Sequence, residues 1–131
     1  MNPGDFRTRT KAFALECIRL VEALPKTRVA FRLGDQLLRS GTSVGANYRA
    51  ACRAKSPADF MSKMGTVEEE ADESIYWIEL LIAAKNVHAE RVAWLVSEAN
   101  EILAMTVASI NTTRARGKAP IRSPQSGIRN R

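Results

Sequence analysis

The chain has 131 residues and a mass of 14.5 kDa, enough for one domain that folds without disulfides. Hydrophobic residues at 45% and charged residues at 26% exclude a disordered chain, and 7 Gly with 5 Pro leave too few turns for an all-β fold. The net charge is +6, and it is unevenly spread: residues 6–63 balance to +8, residues 64–111 to −7 and residues 112–131 to +6. On this linear count the folded part is near neutral and the excess belongs to the C-terminus, so a high isoelectric point alone does not define a basic face. Met1–Asp5 carries no apolar signal region and no apolar run approaches the ~20 residues of a membrane span. Cys17 and Cys52 read as free thiols of a reducing compartment. The expectation is a cytoplasmic protein without a membrane partner.

The hydrophobic period is close to 3.5 nearly throughout, and strand alternation is absent. The first helix is expected over Asp5–Leu24, with Asp5 as N-cap and a seam of Phe6, Thr10, Phe13, Cys17, Leu20 and Leu24. Pro25 ends it, because the residue before a proline is pushed out of the helical region. The second is expected over Lys26–Lys55, with a seam of Ala30, Leu33, Leu37, Ser40, Val44, Asn47 and Ala51. That phase runs unbroken through Gly41 and Gly45, which favours one continuous helix. A turn at Ser40-Gly41-Thr42 is the alternative. Gly34, Gly41, Gly45 and Cys52 form a second line of small residues that lets another helix approach closely. The third begins at Ser56-Pro57-Ala58-Asp59, a cap, a proline at the first position and an acid at the third. Its seam is Phe60, Met64, Val67, Ala71, Ser74, Ile78 and Leu81, widened by Trp77, Leu80 and Ala84, and Lys85 stands where it suits the C-terminal dipole. The fourth is expected over Ala89–Arg114, with Val92, Leu95, Ala99, Ile102, Thr106 and Ser109 inside and a second line of Val96, Leu103, Val107 and Ile110.

Short connections make consecutive helices antiparallel neighbours. The fold class is therefore all-α, an up-down-up-down four-helix bundle over residues 1–114 with a flexible basic tail over 115–131. Apolar positions beyond one seam (Ala14, Ile18, Val21, Val96, Leu103, Val107) point to a homo-oligomer.

The chemistry of an enzyme is missing. His88 is the only histidine and is expected to be solvated. No phosphate-binding glycine loop, Glu-x-x-His pair or zinc knuckle occurs. No catalytic residue, metal site or cofactor is expected. The run Glu68-Glu69-Glu70-Ala71-Asp72-Glu73 reads better as an acidic face meeting Arg39, Arg49 or Arg53 than as a metal site.

Arg32-Leu33-Gly34-Asp35-Gln36-Leu37-Leu38-Arg39-Ser40-Gly41-Thr42-Ser43-Val44-Gly45-Ala46-Asn47-Tyr48-Arg49-Ala50-Ala51 resembles the core motif of the bacterial four-helix bundle family of 23S ribosomal RNA intervening-sequence proteins. Ala54-Lys55-Ser56-Pro57-Ala58-Asp59-Phe60, Lys63, Glu69–Glu73 and Trp77–Leu81 extend the resemblance, which covers roughly residues 10–110. That family is similar to the accessory variability protein of diversity-generating retroelements. The resemblance implies a pentameric ring that works with a reverse transcriptase and with RNA or DNA. It also marks Arg39, Ser40, Ser43, Asn47, Glu70 and Glu73 as polar motif positions, either a binding site or, since several fall on the seam, a polar network between the second and third helices. Nucleic acid is expected to meet Arg28, Arg32, Arg49 and Arg53 on the second helix and Arg114, Arg116, Lys118, Arg122, Arg129 and Arg131 at the C-terminus, through phosphates and without base reading. An oligomeric scaffold that binds only protein is the competing reading.

Overall fold

The computed structural model describes residues 1–117. It contains four α-helices, α1 (Pro3–Ala23), α2 (Arg28–Ala51), α3 (Pro57–Ala83) and α4 (Ala93–Gly117), with a 3-10 turn over Ala89–Val92. No strand occurs among the described residues, and the architecture is the all-α four-helix bundle.

Local chemistry sets the ends. Asn2, not Asp5, caps α1: its side chain accepts from the N–H groups of Gly4 and Asp5, with Pro3 at the first helical position. An Asn-Pro pair satisfies two orphan donors where Asp5 could only lend charge to the first turn. Leu24 is extended before Pro25 and closes α1. Thr27 caps α2 through the Ala30 N–H, so the helix starts two residues after Lys26, and it ends at Ala51. Ser56 caps α3 as expected from the sequence, accepting from the Asp59 N–H at 3.0 Å. The Asp59 carboxylate in turn accepts from the Lys55 N–H at 3.0 Å. At the far end of α3, Lys85 takes a left-handed φ of 62°. Its N–H donates to the Ile82 carbonyl and that of Asn86 to the Leu81 carbonyl, both at 2.9 Å. Lys85 therefore stops α3 with its backbone.

The helix α2 is unbroken through Gly41 and Gly45, and no described glycine has positive φ. These glycines serve packing. A Cβ at Gly41 would stand 2.6 Å from Cys17 Sγ, and one at Gly45 would stand 3.1 Å from Thr10 Oγ1. Gly34 faces Val21 and Leu24 in the same way. The pairings 34 with 24, 41 with 17 and 45 with 10 run α1 and α2 antiparallel. The short connection 52–56 turns α3 back along α2, where Arg39 meets Glu70 and Glu73, and Arg9 opposite Glu98 with Glu16 opposite Arg91, just ahead of α4, runs α1 and α4 antiparallel.

The expected seams line the core. Phe6, Phe13, Leu20, Leu37, Met64, Ile78, Leu81, Leu95 and Ile102 are fully buried, each contributing on the order of 1.5–3 kcal/mol through burial. Tyr48 joins them edge-on to Phe6, ring centroids 4.6 Å apart. Ala84 lies exposed past the end of α3. Of the neighbouring helix pairs, α1 and α4 touch least. Arg9 meets Glu98 and Glu101, so Pro3 lies near the level of residues 104–107, and α4 runs about 15–20 Å beyond the start of α1. Ala115, Arg116 and Gly117 belong to the last turn of α4. The rest of the expected tail, with Lys118, Arg122, Arg129 and Arg131, lies outside the described residues.

Candidate nucleic-acid interface

Folding turns the linear charge blocks into layers along the bundle axis. At the lower end α1 and α3 begin and α2 and α4 finish. It gathers Arg7, Arg49, Arg53, Lys55, Lys63, Arg114 and Arg116 against Asp5 and Asp59, a balance of +5. The middle layer holds Arg9, Lys11 and Arg39 against Glu68, Glu69, Glu70, Asp72, Glu73, Glu98 and Glu101, a balance of −4. At the upper end Arg19, Lys26, Arg28, Arg32, Lys85 and Arg91 face Glu16, Glu22, Asp35, Glu79 and Glu90, a balance of +1. The linear count missed this, because antiparallel helices bring the basic end of α2 beside the basic end of α4.

The described basic residues expected to meet nucleic acid fall into two groups. Arg49, Arg53, Arg114 and Arg116 share the lower end. Arg28 and Arg32 sit at the start of α2, about 30 Å from Arg49 along the helix, in the balanced upper layer. All six are exposed. Arg7, Arg49, Arg53, Lys55, Arg114 and Arg116 take part in no ion pair among the described residues, although Arg114 donates to Asn111 at 3.0 Å. Lys63 is held by Asp59 at 2.6 Å. This ion pair and the Lys55 N–H hold the Asp59 carboxyl below its ordinary range.

Two cations of the middle layer are held by acids of the same layer. Arg9 clamps Glu98 with two hydrogen bonds of 2.9 and 2.8 Å and reaches Glu101 at 2.8 Å. These bonds push the guanidinium further towards its charged form and tie α1 to α4. Arg39 pairs with Glu70 and Glu73 across α2 and α3, and Glu73 also accepts from the Trp77 indole at 3.2 Å. Arg39 remains half exposed. Arg49 and Arg53 reach none of these acids. Near the upper end, burial works against ionised Glu16, but hydrogen bonds from Arg19 and Arg91 outweigh it and lower its carboxyl pKa.

Of the six polar motif positions, Arg39, Glu70 and Glu73 meet directly. Ser40 meets Ser74, whose hydroxyl lies 2.9 Å from Ser40 Oγ and 2.8 Å from the Glu70 carbonyl. Ser43 and Asn47 bond only within α2, to the carbonyls of Arg39 and Ser43. Ser74 was legible only as a seam position, and its hydroxyl adds a second link between α2 and α3 that the motif reading missed.

Among the described residues, no cluster of three or more His, Cys, Asp or Glu side chains could hold a metal ion, and no helix is long and apolar enough to cross a membrane. The residues marked for oligomerisation, Ala14, Ile18, Val21, Val96, Leu103 and Val107, are half-buried. The exposed large apolar residues are Met1, Leu15, Val29, Phe31, Tyr76 and Trp94; of these, Leu15 and Trp94 line an open hollow between α1 and α4 with Ala12, Glu16 and Arg19.

Fold and charge layout together define a small antiparallel helical bundle with one cationic end. The family model of the 23S rRNA-intervening sequence protein matches residues 5–108, and the chain belongs to that family. It is similar to a protein of unknown function of the S23 ribosomal protein family from Bacteroides thetaiotaomicron VPI-5482, whose crystal structure is known at 1.70 Å resolution. The two share 34% identity over 80% of this chain and 97% of that one, with a TM-score of 0.75. No curated protein matches the chain.

Proposed function

We propose that this protein is a non-enzymatic homo-oligomer that binds RNA or DNA through phosphate contacts at the lower end of its bundle. The observation that carries the reading is the charge layering. Six exposed cations, contributed by α1, α2, α4 and the α2–α3 connection, gather at one end without an ion pair among the described residues. The middle layer is net acidic and the upper end nearly balanced. The family description, with its reference to ribosomal RNA, supports a nucleic-acid partner. Lys118, Arg122, Arg129 and Arg131 follow α4 in sequence and add to the net positive charge of the chain. The reverse-transcriptase partnership implied by the resemblance is the finer part of the proposal, and co-purification with such an enzyme tests it.

Binding of a labelled RNA over a salt series tests the main reading. The log–log salt slope should flatten by about 0.7–0.9 for every phosphate that a variant no longer neutralises. The double variant Arg49→Glu with Arg53→Glu should weaken binding strongly and flatten that slope. Arg28→Glu with Arg32→Glu should leave both nearly unchanged. No binding by the native chain at low salt would favour the protein-scaffold reading, with the acidic middle layer as its surface.

A further inference from the structure

We infer that the lower end takes double-helical nucleic acid in preference to single strands. The inference rests on the nucleic-acid reading and deepens it. Proteins that hold single strands use a cationic groove along one backbone and exposed aromatic faces for the bases. The lower end has neither among the described residues. Its aromatic residues are turned inward: Phe6 and Tyr48 are buried against each other, and Phe60 is packed against the core. The exposed aromatics lie elsewhere, with Phe31 near the start of α2, Tyr76 in the second half of α3 and Trp94 at the start of α4.

A hollow near this end is lined by Met1, Asp5, Phe6, Arg9 and Met105, among others. Asp5 repels phosphate there, and Arg9 is already held by Glu98 and Glu101. It offers no cationic channel for a single backbone. The cations without ion pairs belong to different elements, and packed helix axes stand about 8–10 Å apart. Arg7 is on α1, Arg49 on α2 with Arg53 just past its end, and Arg114 and Arg116 on the overhanging end of α4. Charges spread over an area of that size can meet phosphates of both strands of a duplex, where one backbone would reach only some of them. A duplex also presents the denser phosphate charge, with more counterions to release. Its paired bases need no aromatic platform.

The test compares an RNA hairpin with an unstructured RNA of equal length, using the full chain over a salt series. The hairpin should bind about tenfold or more tightly, with the steeper salt slope. Arg49→Glu with Arg53→Glu should abolish that preference while circular dichroism shows the helices intact. Equal or tighter binding of the unstructured strand overturns the inference and leaves the nucleic-acid reading standing. A preference that survives in the folded double variant also overturns it, because the selectivity would then lie outside this end. Failure of the native chain to bind either RNA, or the matching DNA hairpin and strand, at low salt overturns both readings.

Discussion

At Gly41 the contact with Cys17 decides the outcome of a substitution. A methyl group at 41 would meet a sulfur on a short, fully buried side chain that has nowhere to move. Overpacking of this kind costs about 1–3 kcal/mol, against about 1 kcal/mol gained when alanine replaces a helical glycine. Gly41→Ala should therefore lower the melting temperature. Gly65, on α3, has nothing within 4 Å of its missing Cβ. Gly65→Ala should raise stability by about 0.5–1 kcal/mol, and thermal melts of the two variants should move in opposite directions. The sequence phase revealed that Gly41 and Gly45 sit inside one helix. It could not distinguish a glycine required by a neighbour from one that is not, because that distinction depends on the facing residue of α1.

At the scale of the element, the termini were less legible than the seams. Apolar spacing located the inner face of every helix, since burial of that face dominates the energetics. The ends depend on single hydrogen bonds, and Asn2 and Thr27 displaced the expected starts by two residues each. Lys85 looked like a charge placed for a dipole, but it occupies a left-handed position that costs an L-residue about 1–2 kcal/mol. Lys85→Gly should relieve that strain and raise the urea midpoint, the gain reduced by glycine's greater freedom in the unfolded chain. Asp59 gives α3 a pH-dependent cap. Its carboxyl is held below the ordinary 3.8 by Lys63 and the Lys55 N–H, so its contribution is present above that value and is lost as pH falls through the lowered one. Asp59→Asn should be less stable than the native chain at pH 6, and chemical denaturation should show the difference closing in stronger acid.

For the whole molecule, the missed feature was the assembly of charge. Linear counting assigned the excess to the tail, and only the antiparallel path of the chain shows that α2 and α4 finish at the same end. The polar motif was half legible: Arg39, Glu70 and Glu73 meet, while Ser43 and Asn47 are satisfied within α2, where a backbone carbonyl lies one turn away. The oligomer expectation can be tested at more exposed residues. Leu15 and Trp94, on the loosely joined α1–α4 side, are exposed apolar groups that share one hollow, which a second copy would cover. Leu15→Glu with Trp94→Glu should convert an oligomer to monomer in analytical ultracentrifugation, with helicity unchanged. A native chain that sediments as a monomer at micromolar concentration would refute the oligomer.

The tight seat of Cys17 against Gly41 makes the protein its own clock. Burial pushes the Cys17 thiol up to about 12, so at neutral pH it is protonated as well as shielded and does not attack a disulfide reagent. Cys52, just past the last turn of α2, is exposed. Mixing with such a reagent should label one thiol at once and the second only as often as α1 lifts away from α2. The second rate measures that local opening in the unmutated chain. Equal labelling rates for both thiols would mean that the seam between α1 and α2 does not seal.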